Sequence, residues 1–301
     1  MRILQLGDTH LGLACRTWGG PPGWQRSHDF LRAVEVLLQP ALAGEVDLVV
    51  HTGDVFDRSS PPRAAVEAAV ALFERVADCC PMVVVRGNHD RKGLGKSLGR
   101  SRGNLHIVDE HTVLDVAGLR MALVPHRRQA ADWADDAAAV SAGGVDLLVC
   151  HQGVDGVRVP GFTFRVGRPA ETLGVEHIPA GVRHILSGHI HPRQVVRLGD
   201  TEVVYGGSTE RTAASEAEQA KGAVVWEWGT APRFAFVDGP SRRLVRVKGA
   251  DDLDRVQPGD FVSMAPRLLR SLGPAVGVRG GILRLPRARP APSRQQLRLF
   301  G

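Results

Sequence analysis

Aromatic residues are scarce in this chain of 301 residues, at 5% with a single Tyr. That scarcity excludes a single-strand-binding platform built from stacked rings. The four cysteines, Cys15, Cys79, Cys80 and Cys150, form no Cys-x-x-Cys pair, which argues against both a disulfide framework and a zinc-thiolate site. Such usage fits a reducing cytoplasm. No run approaches the roughly eighteen apolar residues needed to cross a membrane, and the N-terminus, polar by residue 7, lacks the apolar stretch of a signal peptide. Acids are missing from residues 274–301, which carry six Arg. Without those six, basic and acidic counts are both 32, so the formal charge of +6 belongs to a tail and the body is neutral.

With 43% apolar and 23% charged residues the rest reads as globular. β-rich runs at Arg2–Leu6, Val46–His51, Pro81–Arg86, Met121–Pro125, Val145–Cys150 and His184–Ser187 alternate with amphipathic segments, the pattern of a layered α/β fold. Phe30, Val34, Leu37 and Leu38 recur at helical spacing, and Pro61-Pro62 opens a second helix carrying Val66, Val70, Phe73 and Val76. Beyond about residue 103, Ala117-Gly118, Gly199-Asp200 and Gly229-Thr230 mark hairpins. The expectation is two packed mixed sheets flanked by helices, an α/β (α+β) body over 1–231. A small appendage over 232–273 follows, then a flexible basic tail over 274–301.

Five of the β-rich runs end in metal-ligand residue types. They are Asp8-Thr9-His10, Gly53-Asp54-Val55-Phe56-Asp57-Arg58, Gly87-Asn88-His89-Asp90, His151-Gln152 and Gly188-His189-Ile190-His191. Strand ends are where α/β sheets gather ligand sites, because loops converge there while the sheet stays rigid. Asp-x-His and His-x-His have period two, which directs both side chains the same way from an extended segment. Carboxylate, amide and imidazole together suit manganese, iron or zinc.

These motifs, in this order over residues 8–191, resemble the signatures of the calcineurin-like metallophosphoesterases. The resemblance implies that family's four-layer fold and two divalent metals, manganese foremost. Asp8, His10, Asp54 and His191 would hold one metal and Asp54, Asn88, His151 and His189 the other, with Asp54 bridging. A metal pair sharing a carboxylate acidifies a water for attack on phosphorus. His89 would protonate the leaving oxygen, Asp57 would orient His89, and Arg58 would hold a phosphate oxygen. Tyr205-Gly206-Gly207-Ser208-Thr209-Glu210-Arg211, followed by Lys221-Gly222, is similar to the SbcD and YhaO type of DNA-repair exonuclease. That branch implies a DNA substrate and a coiled-coil ATPase partner, for which the chain beyond residue 231 offers no recognisable docking segment. A basic cluster of Arg91, Lys92, Lys96, Arg100 and Arg102 is a candidate DNA contact or a solvated loop. A cyclic-nucleotide phosphodiesterase and a non-enzymatic repair scaffold are the competing readings. Gln296-Leu297-Arg298-Leu299-Phe300 resembles the peptide by which bacterial repair proteins bind the sliding clamp, with Gln296, Leu297, Leu299 and Phe300 as its contacts.

Overall fold

The computed structural model describes residues 1–15, 17–18, 22, 24–159 and 169–284. They fall into two compact units, one of Met1–Leu13 with Ser27–Arg242 and one of Ala14–Arg26 with Arg243 onward.

The larger unit holds two six-stranded sheets. The first runs in the order Arg233–Asp238, Gly222–Glu227, Arg2–Leu6, Leu48–His51, Met82–Val85, Leu105–Val108. The second runs Gln194–Leu198, Thr201–Tyr205, His184–Gly188, Leu147–His151, Leu119–Val124, Thr112–Val116. Arg2–Leu6, Leu48–His51 and Met82–Val85 are mutually parallel neighbours, as are Leu147–His151 and His184–Gly188. The central strands are apolar on both faces because both faces are covered. Their period-two alternation sends Ile3, Val50 and Val83 into a core shared with Leu123, Val149 and Leu186 of the second sheet. Leu4, Val49 and Val84 go to the opposite face, against Phe30 and Val34 of helix Arg26–Leu37 and Phe73 and Val76 of helix Arg63–Cys79. Trp133, in helix Ala130–Ser141, packs with Ala122, Leu148 and Ile185 on the outer face of the second sheet. The layering is therefore helix, sheet, sheet, helix, as expected.

The domain limits differ from expectation at both ends. A boundary at 231 cuts a hairpin: Arg233–Asp238 pairs along its whole length with Gly222–Glu227, and the body extends to Arg242. The smaller unit is more than a C-terminal appendage, since a parallel trio, Leu244–Val247, Phe261–Met264 and Ile282–Arg284, is completed by the antiparallel strand Thr17–Trp18. Its helix, Pro266–Val278, runs through Pro274, the expected start of the tail. Leu269, Leu272 and Val276 continue an apolar stripe past that proline onto Leu283 and Val262, and burial of the stripe outweighs the breaker. Trp24 tilts against Phe261 within the smaller unit, at 6.4 Å between ring centroids. The clamp-like peptide at 296–300 lies outside the described residues.

Candidate metal centre

Each expected ligand sits at or just beyond the carboxyl end of a parallel strand. Asp8 and His10 follow Arg2–Leu6, Asp54 follows Leu48–His51, and Asn88 follows Met82–Val85, while His151 ends its strand and His189 and His191 follow His184–Gly188. Backbone bonds sew the loops together: Asp8 N–H to the Gly53 carbonyl (2.9 Å), His10 N–H to that of Asp54 (3.1 Å) and Leu11 N–H to that of Val55 (2.8 Å). The glycines in the motifs make room for this convergence. A Cβ on Gly87 would lie 2.2 Å from Asp54 Oδ1, and one on Gly188 2.4 Å from the Thr52 carbonyl oxygen.

All seven expected donors come together. Ligand atoms of Asp8, His10 and His191 lie within 4.8 Å of one another, as do those of Asp8, Asp54 and His151. Asn88 Oδ1 is 3.0 Å from His151 Nε2 and 2.8 Å from His189 Nδ1. Asp54 Oδ2 is 3.4 Å from His151 Nε2 and 4.0 Å from His10 Nε2, the central position a bridging carboxylate needs. His189 N–H donates to both Asp8 oxygens at 3.0 and 3.1 Å.

Charge and burial suit this cluster to a cation. Burial pushes His10 down to about 3, helped by His191, and pushes His189 down to about 3, helped by His151. Both rings are thus neutral, the form that ligates metal. Burial acts the same way on His151, but the Asp54 and Asp8 carboxylates overcome it and raise that ring to about 9. Burial raises Asp8; it pushes Asp54 up too, yet His151, His10 and His89 outweigh it and hold Asp54 below the usual carboxylate range. His10 Nε2 and His191 Nε2 face each other at 3.1 Å, two nitrogens that only a shared proton or a cation reconciles. A divalent cation answers the same electrostatic demand with every ring neutral, so the donor set fits the implied metals.

His89 lies beside this cluster, its Nε2 4.0 Å from Asp54 Oδ2 and its ring edge-on to His10 at 4.8 Å between centroids. Its Nδ1 is 2.6 Å from a carbonyl oxygen, that of Asp57. The expected orientation of His89 by Asp57 therefore runs through the main chain and not the carboxylate, which faces Arg58 at 3.9 Å. The Arg58 side chain is half exposed. His126, outside the motifs, meets the His151 carbonyl at 3.1 Å through Nδ1 and stacks on His189 at 5.6 Å. Beside Asn88 and His189 opens a cleft of about 600 Å³, with Arg86, Arg91 and Arg128 in its lining. Of the expected basic cluster only Arg91 is among these lining residues; Arg102 is bonded to Glu74 and Lys92 to Ser60.

Two residues without an expected role support the ligands. Asp90, the last letter of Gly-Asn-His-Asp, accepts from the main-chain N–H of Val55, Phe56 and Gly87 and so ties two ligand loops together. Glu216 stands behind His191, 2.9 Å from its Nδ1. Glu210 and Arg211, which carried the finer resemblance, are structural: Glu210 accepts from the N–H groups of Arg211 and Arg242, and Arg211 binds the carbonyls of Glu216, Ala217, Gln219 and Arg242.

Among known proteins, the chain is 30% identical over 233 residues to the DNA double-strand break repair protein Mre11 of Methanosarcina acetivorans, covering 72% of this chain and 35% of the relative. To the Mre11 of Haloferax volcanii it is 31% identical over 229 residues, 71% of this chain and 47% of that one. The chain thus spans about a third to a half of the length of these relatives. Residues 1–193, which hold every expected ligand, match the profile of the calcineurin-like phosphoesterases, and the chain belongs to that family.

Proposed function

We propose that this chain is a two-metal phosphodiesterase that cleaves DNA in repair or replication. The observation that carries the reading is the convergence of seven donors, with His89 beside them, at five strand ends. Asp8, His10, Asp54 and His191 would hold one cation and Asp54, Asn88, His151 and His189 the other, manganese foremost among the metals, with iron and zinc, that such a mixed oxygen and imidazole set suits. Bound there, the cations would supply an acidified water and offset charge on the phosphoryl oxygens. His89, with Nδ1 held by the Asp57 carbonyl, keeps Nε2 for delivering a proton to the leaving oxygen. The DNA double-strand break repair relatives support a DNA substrate.

The cleft favours a polyanionic strand over a cyclic nucleotide or another small diester. Three guanidiniums against Glu171 leave its lining positive, and phosphates flanking the scissile one have a place to go. The test uses manganese-loaded protein on a chromogenic phosphodiester and on a short single-stranded oligonucleotide. Arg91→Ala with Arg128→Ala should lower kcat/KM for the oligonucleotide at least tenfold more than for the chromogen. The log-log salt dependence of oligonucleotide binding should flatten by about 1.4, the share of two phosphate contacts on a single strand. Equal losses on both substrates, with an unchanged salt slope, would count against DNA.

The terminal Gln296-Leu297-Arg298-Leu299-Phe300 is proposed to recruit the enzyme to the sliding clamp. Two apolar anchors and a directional Gln on a Pro/Arg-rich tether are the support for that reading.

A further inference from the structure

The His191 ring is held from behind differently from the other ligand rings. His151 turns Nδ1 to a neutral carbonyl, that of Thr52, at 2.7 Å. His189 turns Nδ1 to Asn88 Oδ1, an expected donor of its own half, and His10 Nδ1 is buried with no partner among the described residues. His191 Nδ1 alone among the four meets a carboxylate, Glu216 Oε1, at 2.9 Å. That carboxylate is itself fixed. The Thr212 hydroxyl donates to Oε1 at 2.8 Å, Thr212 N–H donates to Oε2 at 3.0 Å, and Lys221 Nζ meets Oε2 at 2.8 Å. Lys221 is only 2% exposed and also donates to Ser208 Oγ at 2.7 Å and Gln219 Oε1 at 3.0 Å.

Burying an ion pair is costly unless its remaining donors and acceptors are satisfied. Here they are, and the two oxygens are divided: Oε1 faces the ring and Oε2 takes the ammonium, which also donates to the His191 carbonyl at 3.4 Å. A carboxylate behind an imidazole fixes the tautomer, orients the ring and raises the basicity of the far nitrogen. On His191 that far nitrogen, Nε2, is 3.8 Å from Asp8 Oδ1. The two halves of the centre are therefore unequal. The Asp8 half combines two carboxylates, Asp8 and Asp54, with a carboxylate-backed ring; the Asn88 half shares Asp54 and brings two rings, His151 and His189, neither backed by a carboxylate at Nδ1, with a neutral amide in place of the second carboxylate.

We infer that Glu216, clamped by Lys221 and Thr212, is a positioning residue for His191 and makes the Asp8–His10–His191 half the tighter cation site, the one that fills first. This rests on the two-metal reading.

The test is calorimetric titration of Mn²⁺ onto chelator-stripped full-length protein, with electron paramagnetic resonance at one and two equivalents. Wild type should take up two ions in unequal steps, a mononuclear signal preceding the coupled pair. Asn88→Ala should lose the weaker step only. Glu216→Gln should weaken the tighter step by about 10–100-fold, as loss of a partner behind a ligand does, and leave the weaker within threefold. Because Glu216→Gln strands the Lys221 ammonium, Glu216→Gln with Lys221→Met is the companion variant, expected to melt near wild type without metal and to show the same selective weakening. Equal weakening of both steps overturns the inference. So does a lowered metal-free melting temperature with both Mn²⁺ constants intact, which would make Glu216 a brace and nothing more. A wild-type protein that binds no Mn²⁺ would instead refute the two-metal reading.

Discussion

Asp90 offers the sharpest separation of hydrogen bonding from charge. It is 4% exposed; one oxygen accepts from Val55 N–H (3.3 Å) and Gly87 N–H (3.1 Å), the other from Phe56 N–H (3.3 Å). The Asp90→Asn substitution keeps an oxygen for the first two donors and removes the charge; Asp90→Ala removes both. The alanine variant therefore loses two more bonds than the asparagine variant, and an unpaired buried donor costs roughly 1–3 kcal/mol. With bonds at the long end of the range, Asp90→Ala should be less stable than Asp90→Asn by about 2 kcal/mol. The wild type carries a second signature. Burial, with the Asp54 charge second, pushes Asp90 up to about 6 from 3.8, so the folded protein holds this proton where the unfolded chain has released it. Stability from this group is then lost as pH rises from about 4 to about 6, by at most about 1.4 kcal/mol per pH unit. Urea unfolding of metal-stripped protein across that window should show Asp90→Asn gaining on wild type with rising pH. Equal stability of the alanine and asparagine variants would refute the reasoning.

His89→Ala should keep its metals by direct metal analysis yet lose about two to four orders of magnitude in turnover, whereas Asp54→Ala should lose both metals. His51 accepts Gly53 N–H on Nδ1 (3.2 Å), faces Thr9 Oγ1 with Nε2 (3.0 Å), and is pushed down to about 3 by burial, with His151 second. Its folded pKa is depressed, so its contribution is lost as pH falls from 6.5 towards 3, and His51→Gln should flatten that part of a urea-midpoint profile. Leu299→Ala with Phe300→Ala should abolish binding to a purified sliding clamp in calorimetry, where wild type binds at micromolar concentration, and should leave hydrolysis of a chromogenic diester unchanged.

The strands and the residues that converge at their ends were legible because both are local. Period-two apolar runs of about four to six residues mark strands wherever both faces are covered, and the ligand at each strand end needs no knowledge of its partners. What was hidden was relational. Glu216 is separated from His191 by a hairpin, and nothing in Ala-Ser-Glu-Ala announces a ring behind which it will stand. Asp57 was expected to orient His89, and the group that meets His89 is its carbonyl, which any residue could supply. Thr17–Trp18 is too short to read as a strand, and its partner, Ile282–Arg284, lies at the far end of the chain.

The glycines that open the ligand motifs were visible as letters before their purpose was, and the backbone explains them. Among the described residues only five other than glycine have positive φ, and four are proposed ligands: Asp8 (50°), His10 (43°), Asp54 (53°) and His189 (82°). Asp tolerates the left-handed region moderately well, but such conformations cost on the order of 1–3 kcal/mol each and persist only where their surroundings over-determine them. The surroundings here are the main-chain bonds between ligand loops, the three donors gathered by Asp90, and the close approach of Gly87 and Gly188 to Asp54 and Thr52. A side chain at either glycine would push the loops apart and release the strain by relaxing the very φ angles that aim Asp8, Asp54 and His189 inward. Stability is thus conceded at the centre and recovered in the sheets on either side, so the donors stand aimed before any cation arrives.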